Sequence, residues 1–218
     1  MLTMNEEVEF LVTDIKELSG RRRLVFVNYE PAFALYSSEI RKYAIQKDTI
    51  ISTEVYQQLL IEVFDKRATA RAMNLLQAKD YSKKELIDKL VKDYYPETAI
   101  QRALEYVEKF GYINDYRYAE TYVQFKSTSK SRKQIVLFLQ KKGIAQDIIE
   151  HVCDAYYDQN QDVELDMVLT QMRKKAATIQ EFSYENKMKL MGCFYRKGFQ
   201  TDTIKKALDI VVQERDNS

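Results

Sequence analysis

The first sixty or so residues carry a hydrophobic pattern that differs from the rest of the chain. The runs Val8–Leu18 and Leu24–Tyr29 are rich in residue types that favour β-strands, and in the second run Val25 and Val27 fall on the face opposite Phe26, as the two-residue period of a strand requires. Ser19-Gly20 and Pro31 interrupt these runs with residue types that favour turns. The pattern predicts a small β-meander followed by two short helices at residues 1–64.

From about residue 65 onward, apolar residues recur at helical spacing. Leu86, Leu90 and Tyr94 lie one helical turn apart, behind Ser82 and Glu85. A serine followed three residues later by glutamate matches a capping box, in which each side chain accepts from the other's backbone amide. We therefore predict that a helix begins directly after Ser82.

The helical pattern repeats along the chain. A shift of 49 residues places Ser131 on Ser82, and a further shift of 55 places Gly198 on Gly143, where glycine suits a helix end. Another amphipathic helix precedes each copy, and such units stack because one alone cannot bury its apolar face. The predicted fold is mainly α, with tandem three-helix repeats that form an elongated, curved body after a small N-terminal β-meander and helix extension. The predicted segments are the extension at 1–64 and repeats at 65–112, 113–160 and 161–218.

Composition is consistent with this fold and argues against several other classes of protein. Gly occurs 5 times and Pro twice, too few for the many special turns of a sandwich or barrel. The two cysteines, Cys153 and Cys193, cannot make a disulfide framework. The start of the chain lacks the features of a signal peptide, and no run approaches the ~20 apolar residues of a membrane span. We expect a cytoplasmic protein that does not contact membranes.

Few patterns in the sequence suggest catalysis. His151 is the only histidine, and with Cys153 two positions away it is too isolated to form a zinc site. No glycine-rich phosphate loop occurs. Carboxylate pairs such as Glu105 and Glu108 are typical of the solvated face of a helix. We predict that the protein is not an enzyme and uses no metal or cofactor.

The distribution of charge is more informative than its total, since the formal net charge is only +1. No Asp or Glu occurs from Thr121 to Gln146, although that stretch contains six basic residues, and further basic clusters follow it. Such residues can neutralise phosphates without reading bases, or they can simply solvate helix ends. The candidates for contact with DNA or an acidic protein surface are Lys126, Lys130, Arg132, Lys133, Lys141, Lys142, Arg173, Lys174, Lys175, Lys187, Lys189, Arg196 and Lys197.

One more basic run, Arg21–Arg23, falls at the tip of the first predicted hairpin. It is placed either to contact an anionic partner or to protect the edge of the sheet with charge. Residues 1–64 as a whole carry ten acidic and seven basic side chains, so this region is net acidic.

Four segments share a pattern with a known family: Ala72–Leu90, Phe110–Val123, Ile135–Ile144 and Leu190–Leu208. They resemble the RecX family of regulatory proteins, which modulate the RecA recombinase. Two positions depart from the family pattern: Tyr81 stands where a basic residue is common, and Ser131 stands where glycine is usual.

The resemblance implies a protein that binds RecA filaments on single-stranded DNA and inhibits strand exchange and ATP hydrolysis, with a role in homologous recombination, DNA repair and the SOS response. The basic clusters are then expected to contact single- or double-stranded DNA, and we expect a monomer. Two other functions stay open. A direct DNA-binding helical regulator predicts a sequence-selective footprint, and a generic helical scaffold for protein partners predicts indifference to both DNA and RecA.

Overall fold

The computed structural model describes residues 9–217, so Val8, the predicted start of the first strand, lies outside the described residues. The strands are β1 Phe10–Glu17, β2 Arg22–Val27, β3 Glu30–Tyr36 and β4 Ile50–Ile51. The helices are α1 Ser37–Lys42, α2 Thr53–Leu59, α3 Asp65–Ala78, α4 Lys83–Lys92, α5 Glu97–Lys109, α6 Asp115–Lys126, α7 Arg132–Lys141, α8 Gln146–Gln159, α9 Val163–Ala176, α10 Tyr184–Arg196 and α11 Thr201–Asp216. The predicted mainly helical fold with a small strand region at its beginning is confirmed.

The strands form one antiparallel sheet in the order β3-β2-β1-β4. The turn predicted near Pro31 lies slightly earlier, at Asn28 and Tyr29, which both have positive φ. Pro31 itself belongs to β3, an edge strand, where a residue without a backbone N–H is tolerated. The alternation of apolar residues did not reveal β4, because two residues are too few to show a period.

The helix predicted after Ser52 continues across residue 65 instead of ending before it. Ser52 caps α2 by accepting a hydrogen bond from the Val55 N–H at 3.3 Å. A π-helical segment, Leu60–Phe64, then joins α2 to α3 without a break. Leu60 and Phe64 are both buried in this segment, so the apolar pattern leaves no gap at which a boundary could be recognised.

Three successive groups of three helices follow the sheet: α3–α5, α6–α8 and α9–α11. In each group the first helix packs along the third. The predicted capping box of α4 is confirmed, with the Ser82 hydroxyl accepting from the Glu85 N–H at 3.2 Å. A second capping box starts α7, formed by Ser131 and Gln134. The recurrence of these local signals explains why the repeat could be recognised from the sequence.

The chain divides into two compact units, one that ends at Asn114 and one that begins at Asp115. In the first unit a single core joins Val25 and Leu35 of the sheet to Leu86 of α4. In the second unit α6–α8 and α9–α11 have separate apolar clusters. The division into segments 1–64, 65–112, 113–160 and 161–218 stays a prediction. None of the described helices is both long and apolar enough to cross a membrane.

Candidate functional site

The turn between α6 and α7 gathers several of the predicted basic residues. Lys126 ends α6, and its carbonyl accepts a hydrogen bond from the Lys130 N–H at 2.8 Å. Ser131 then caps α7, so that Lys133 lies in its first turn. Lys126 and Lys133 are exposed and Lys130 is partly exposed. Three ammonium groups therefore surround one tight turn.

A buried serine joins this turn to the end of α10. The Ser131 hydroxyl donates to the Lys197 carbonyl at 2.6 Å and accepts from the Gln134 N–H at 3.3 Å. Both the donor and the acceptor capacity of the hydroxyl are therefore used in a site where Ser131 is fully buried. The repeat aligned Ser131 with the helix-capping Ser82, and Ser131 does cap α7, but no local pattern indicated its contact with residue 197.

The close approach of α7 to the end of α10 also depends on Gly198. This residue has a φ of +86°, a conformation that favours glycine, and a Cβ added to it would lie 2.8 Å from Cβ and Cδ of Lys133. The aliphatic stem of Lys133 thus packs directly on the Gly198 backbone. We call the basic residues brought together here the junction cluster; its members are Lys126, Lys130, Lys133, Arg196 and Lys197.

The junction cluster keeps most of its charge free of carboxylates. Among residues 9–217, no acidic side chain forms an ion pair with Lys126, Lys130, Lys133 or Arg196. The Lys197 ammonium donates to the neutral amide oxygen of Gln171 at 2.7 Å, which orients the charge without cancelling it. These cations are available to an anionic partner.

Arg132 lies in the same turn but is used differently. Its guanidinium donates to Asp154 and lies 5.4 Å from the ring centroid of Tyr157. Its backbone N–H donates to the Glu164 carboxylate at 2.7 Å, which links α7 to the first turn of α9. Because Asp154 neutralises the Arg132 charge, we leave this residue out of the junction cluster.

The remaining candidates lie elsewhere in the second unit. Lys141 is the last residue of α7 and Lys142 caps it, about 15 Å along the helix axis from the turn. The Lys142 ammonium is 5.2 Å from the Phe138 ring centroid. Lys187 and Lys189 lie in the N-terminal half of α10, and Lys189 pairs with Glu185 at 2.6 Å. The structure therefore brings together five of the thirteen candidates and separates the others from them.

The end of α9 contains a basic run that is partly neutralised. Arg173 donates two hydrogen bonds to Glu214 on α11, at 2.9 and 2.5 Å. These bonds hold the pKa of the Glu214 carboxyl below its usual range. Lys174 and Lys175 beside them are exposed. This end of α9 offers two cations, fewer than the junction cluster.

The run Arg21–Arg23 does not protect the edge of the sheet. Arg22 and Arg23 begin β2, and β2 is paired on one side with β1 and on the other with β3. Arg21 lies in the preceding turn with a φ of 63°. Of the two interpretations of this run, edge protection is wrong, because an interior strand has no open edge.

His151 and Cys153, the side chains considered for catalysis or zinc binding, lie in surroundings that do not favour either role. His151 is exposed, with its ring 5.8 Å from that of Tyr116. Cys153 is buried, and burial raises the pKa of its thiol, which disfavours the nucleophilic thiolate. Within residues 9–217, no group of three or more His, Cys, Asp or Glu side chains could hold a metal ion.

Comparison with known protein families identifies the three helical groups. Residues 68–106 match the first three-helix domain of RecX, residues 114–152 match the second and residues 162–208 match the third. The chain belongs to the RecX family. The resemblance found in the sequence is thereby confirmed.

Known RecX proteins resemble this one over most of its length. The regulatory protein RecX of Caldanaerobacter subterraneus is 29% identical over 197 residues, which cover 90% of this chain and 96% of that protein. The regulatory protein RecX of Clostridium beijerinckii is 26% identical over 210 residues, covering 92% and 96%. The name of the family as regulatory proteins agrees with a function that does not depend on catalysis.

Solved RecX structures share the fold. The crystal structure of RecX from Lactobacillus salivarius superimposes with a TM-score of 0.62 and 29% identity, covering 72% of this chain and 100% of that one. Another crystal structure of regulatory protein RecX gives a TM-score of 0.61 at 17% identity, covering 93% and 100%. At that lower identity the likeness shows the fold alone.

Proposed function

We propose that this RecX-family protein regulates RecA by binding RecA filaments on single-stranded DNA and restraining ATP hydrolysis and strand exchange. The observation that carries the proposal is the junction cluster. In it, contacts of Ser131 with Lys197 and of Lys133 with Gly198 bring together two basic segments of the chain, around residues 130 and 197, whose cations are not neutralised by carboxylates. The family's regulatory name supports a partner-directed function of this kind.

The chemistry of the junction cluster suits a partner that presents regularly spaced negative charge. Each ammonium group that neutralises a phosphate releases condensed counterions, which favours binding regardless of base sequence. Contacts of this kind fix position without reading bases, as a regulator of filaments on any strand requires. The same cations could contact an acidic surface of RecA, and several weak contacts to one filament would add through avidity.

Inhibition of RecA requires more than binding. A regulator shifts the activity of a filament only as far as it binds one state more tightly than another. We therefore propose that the protein favours a filament state that hydrolyses ATP slowly. We propose that the protein acts in the cytoplasm, in homologous recombination and DNA repair.

The test is RecA-dependent ATP hydrolysis on single-stranded DNA, titrated with this protein at two salt concentrations. Lys130→Glu/Lys133→Glu reverses two charges of the junction cluster. Lys205→Glu/Lys206→Glu is the matched control, because both lysines are exposed on α11 of the same unit and have no ion pair within the described residues. Lys133→Glu keeps the Cβ and Cγ methylene groups that pack on Gly198 and replaces the Cδ methylene group with a carboxylate carbon.

The wild-type and control proteins should inhibit hydrolysis at substoichiometric ratios, and inhibition should weaken with salt. The junction variant should need about tenfold more protein for the same effect, as expected when two phosphate contacts become repulsive. Equal potency of the junction and control variants would contradict the role of the junction cluster. No effect of the wild-type protein at several-fold excess would contradict RecA regulation and favour the scaffold function.

A further inference from the structure

The first unit contains a second basic surface, of which the sequence indicated only the run Arg21–Arg23. Two adjoining cavities, of about 330 and 670 Å³, share Arg22 and Tyr36 in their linings. Volumes of this size are typical of ligand sites. We call this surface the arginine groove; its basic residues are Arg21, Arg22, Arg23, Arg41, Arg67 and Arg71.

The fold of the first unit explains why these arginines meet. Arg22 is the cross-strand partner of Tyr36, so their side chains lie on the same face of the sheet. Helix α3 borders the outer edge of β3, where the Arg67 guanidinium donates to the Ala34 carbonyl at 3.5 Å. The Ala34 N–H donates to the Tyr94 carbonyl at 3.3 Å, which brings the α4–α5 turn to the same edge. Residues far apart in the sequence thus line one groove.

Three of the six arginines are neutralised by carboxylates. The salt bridges join Arg23 to Glu17 at 2.8 Å, Arg71 to Asp93 at 2.8 Å, and Arg67 to Glu39.

The other three arginines, Arg21, Arg22 and Arg41, form no ion pair within the described residues. The groove therefore carries an excess of three positive charges, although residues 1–64 as a whole are net acidic. A local cluster of positive charge within a region that is net acidic is what we expect of an anion-binding surface.

Two aromatic side chains lie among these cations. Tyr36 is 40% exposed, and the Arg67 guanidinium lies 4.9 Å from its ring centroid. Tyr95 lines the smaller cavity; burial raises the pKa of its hydroxyl, while the charges of Arg67, Arg71 and Arg22 act in the opposite direction. An exposed ring next to unpaired cations offers a face for stacking beside sites for phosphate.

We propose that the arginine groove binds single-stranded nucleic acid, with Arg21, Arg22 and Arg41 contacting phosphates and Tyr36 stacking on a base. Arginine matches phosphate geometry well, and base–aromatic stacking is tolerant of sequence. A concave groove admits a base only when it is unstacked, which favours a single strand over a duplex. An acidic peptide would use the cations but would leave the aromatic faces without a role. This binding needs no RecA and so stands apart from the function proposed above.

The first part of the test measures affinity for a fluorescently labelled oligothymidylate of about 16 nucleotides by anisotropy, with the full chain and without RecA. Arg21→Glu/Arg41→Glu reverses two unpaired charges of the groove. The matched control is Lys47→Glu/Lys84→Glu, which makes the same change in net charge on exposed residues of the same unit. Lys47 precedes β4, at the edge of the sheet opposite β3.

The groove variant should bind at least about tenfold more weakly than wild type, and its slope of log affinity against log salt should fall by about 1.4, or about 0.7 for each lost phosphate contact. The control should differ from wild type by less than about threefold, because only its net charge has changed. The milder Arg21→Ala/Arg41→Ala variant, with a melting temperature equal to that of wild type, should show a smaller loss in the same direction. Affinity equal to wild type in both groove variants would overturn the proposal.

The second part of the test locates the strand and identifies its class. An oligothymidylate containing 4-thiothymidine should crosslink on irradiation to the peptide that carries Tyr36, and Lys130→Glu/Lys133→Glu should retain this crosslink even if RecA regulation fails. Equal competition by thymidine monophosphate would show a small phosphorylated ligand instead. Equal competition by polyglutamate would show an acidic protein partner. Equal competition by either compound, or a crosslink confined to the second unit, would contradict the proposal that the arginine groove binds single-stranded nucleic acid.

Discussion

The two units of this protein surround their basic residues with different neighbours. In the first unit Arg67 pairs with Glu39, and both side chains are mostly buried, at 25% and 19% exposed. In the second unit Lys130 and Lys133 extend from a turn that is held by the hydrogen bond from the Ser131 hydroxyl to the Lys197 backbone carbonyl. The ammonium groups of Lys130 and Lys133 take no part in that hydrogen bond. In the first unit the charged pair stabilises the fold. In the second unit uncharged contacts stabilise the turn, and the lysines remain exposed on it.

This difference has a physical basis in solvation. A hydrogen bond to a charged group that is partly removed from water stabilises a protein more than an exposed ion pair does. An exposed lysine contributes little to folding and keeps its charge for a partner. The number of basic residues therefore predicts less about function than their distance from carboxylates. The arginine groove combines both conditions, since three of its six arginines are paired and three are not.

The largest expected effect comes from a glycine-to-alanine change at the junction. Gly198→Ala should lower the free energy of unfolding by about 2–4 kcal/mol, because a left-handed residue gains a Cβ and that Cβ meets the stem of Lys133. Gly111→Ala is the control. It has a similar φ of +68° but open space around the added Cβ, so it should lose only about 1–2 kcal/mol.

Urea unfolding measures both losses, and inhibition of RecA-dependent ATP hydrolysis supplies a second comparison. Because Gly198→Ala displaces Lys133, it should weaken inhibition more than Gly111→Ala does, at temperatures where both variants are folded. A larger loss of unfolding free energy in Gly111→Ala than in Gly198→Ala would show that the contact between Gly198 and Lys133 does not contribute to stability.

A smaller difference is expected between two arginines that look alike in the sequence. Arg67→Ala leaves Glu39 mostly buried and without its cation, so unfolding free energy should fall by about 1.5–3 kcal/mol. Arg132→Ala removes an ion pair with Asp154 that is 38% and 60% exposed, which should cost about 0–1 kcal/mol. Thermal denaturation of the two variants gives the ranking, and a reversed order would contradict the distinction drawn between the units.

The smallest expected effect is a change in pH dependence at the end of α9. The pKa of Glu214 is lowered by its hydrogen bonds to Arg173, so the folded state binds a proton there less readily than the unfolded chain. The resulting stabilisation is present above the usual glutamate pKa and is lost as pH falls through the lowered value. Glu214→Gln should therefore reduce the drop in melting temperature between neutral and acidic pH. An unchanged drop would show that Arg173 and Glu214 do not couple.

Much of the fold could be predicted because its signals are local. The capping box at Ser82 and Glu85 and the apolar spacing behind it concern residues within a few turns, and both appear in the structure as expected. Strands β1 and β2 were recognised for the same reason, from local runs of residue types that favour β-strands. The continuous helix through residue 65 was missed because the π-helical segment keeps Leu60 and Phe64 buried and shows no break in the pattern.

The candidate site was less predictable, because the sequence shows that a side chain is basic but not whether the folded chain places a carboxylate beside it. Arg132 and Lys133 are neighbours in an acid-free stretch, yet Asp154 neutralises one while the other packs its stem on Gly198. The arginines of α3 drew no attention in the sequence, because nothing in their helical pattern indicates that Arg67 and Arg71 lie beside Arg22 of β2.

By itself, the sequence determined the helices, their repetition and the excess of basic residues between Thr121 and Gln146. Periodicity and capping act over a few residues, so they can be read without the fold. Only the tertiary structure decided which cations share a surface and which are neutralised. Ser131 and Lys197, or Arg22 and Arg67, meet because helices and strands pack against one another, and the energy of those contacts belongs to pairs of residues that no local pattern connects.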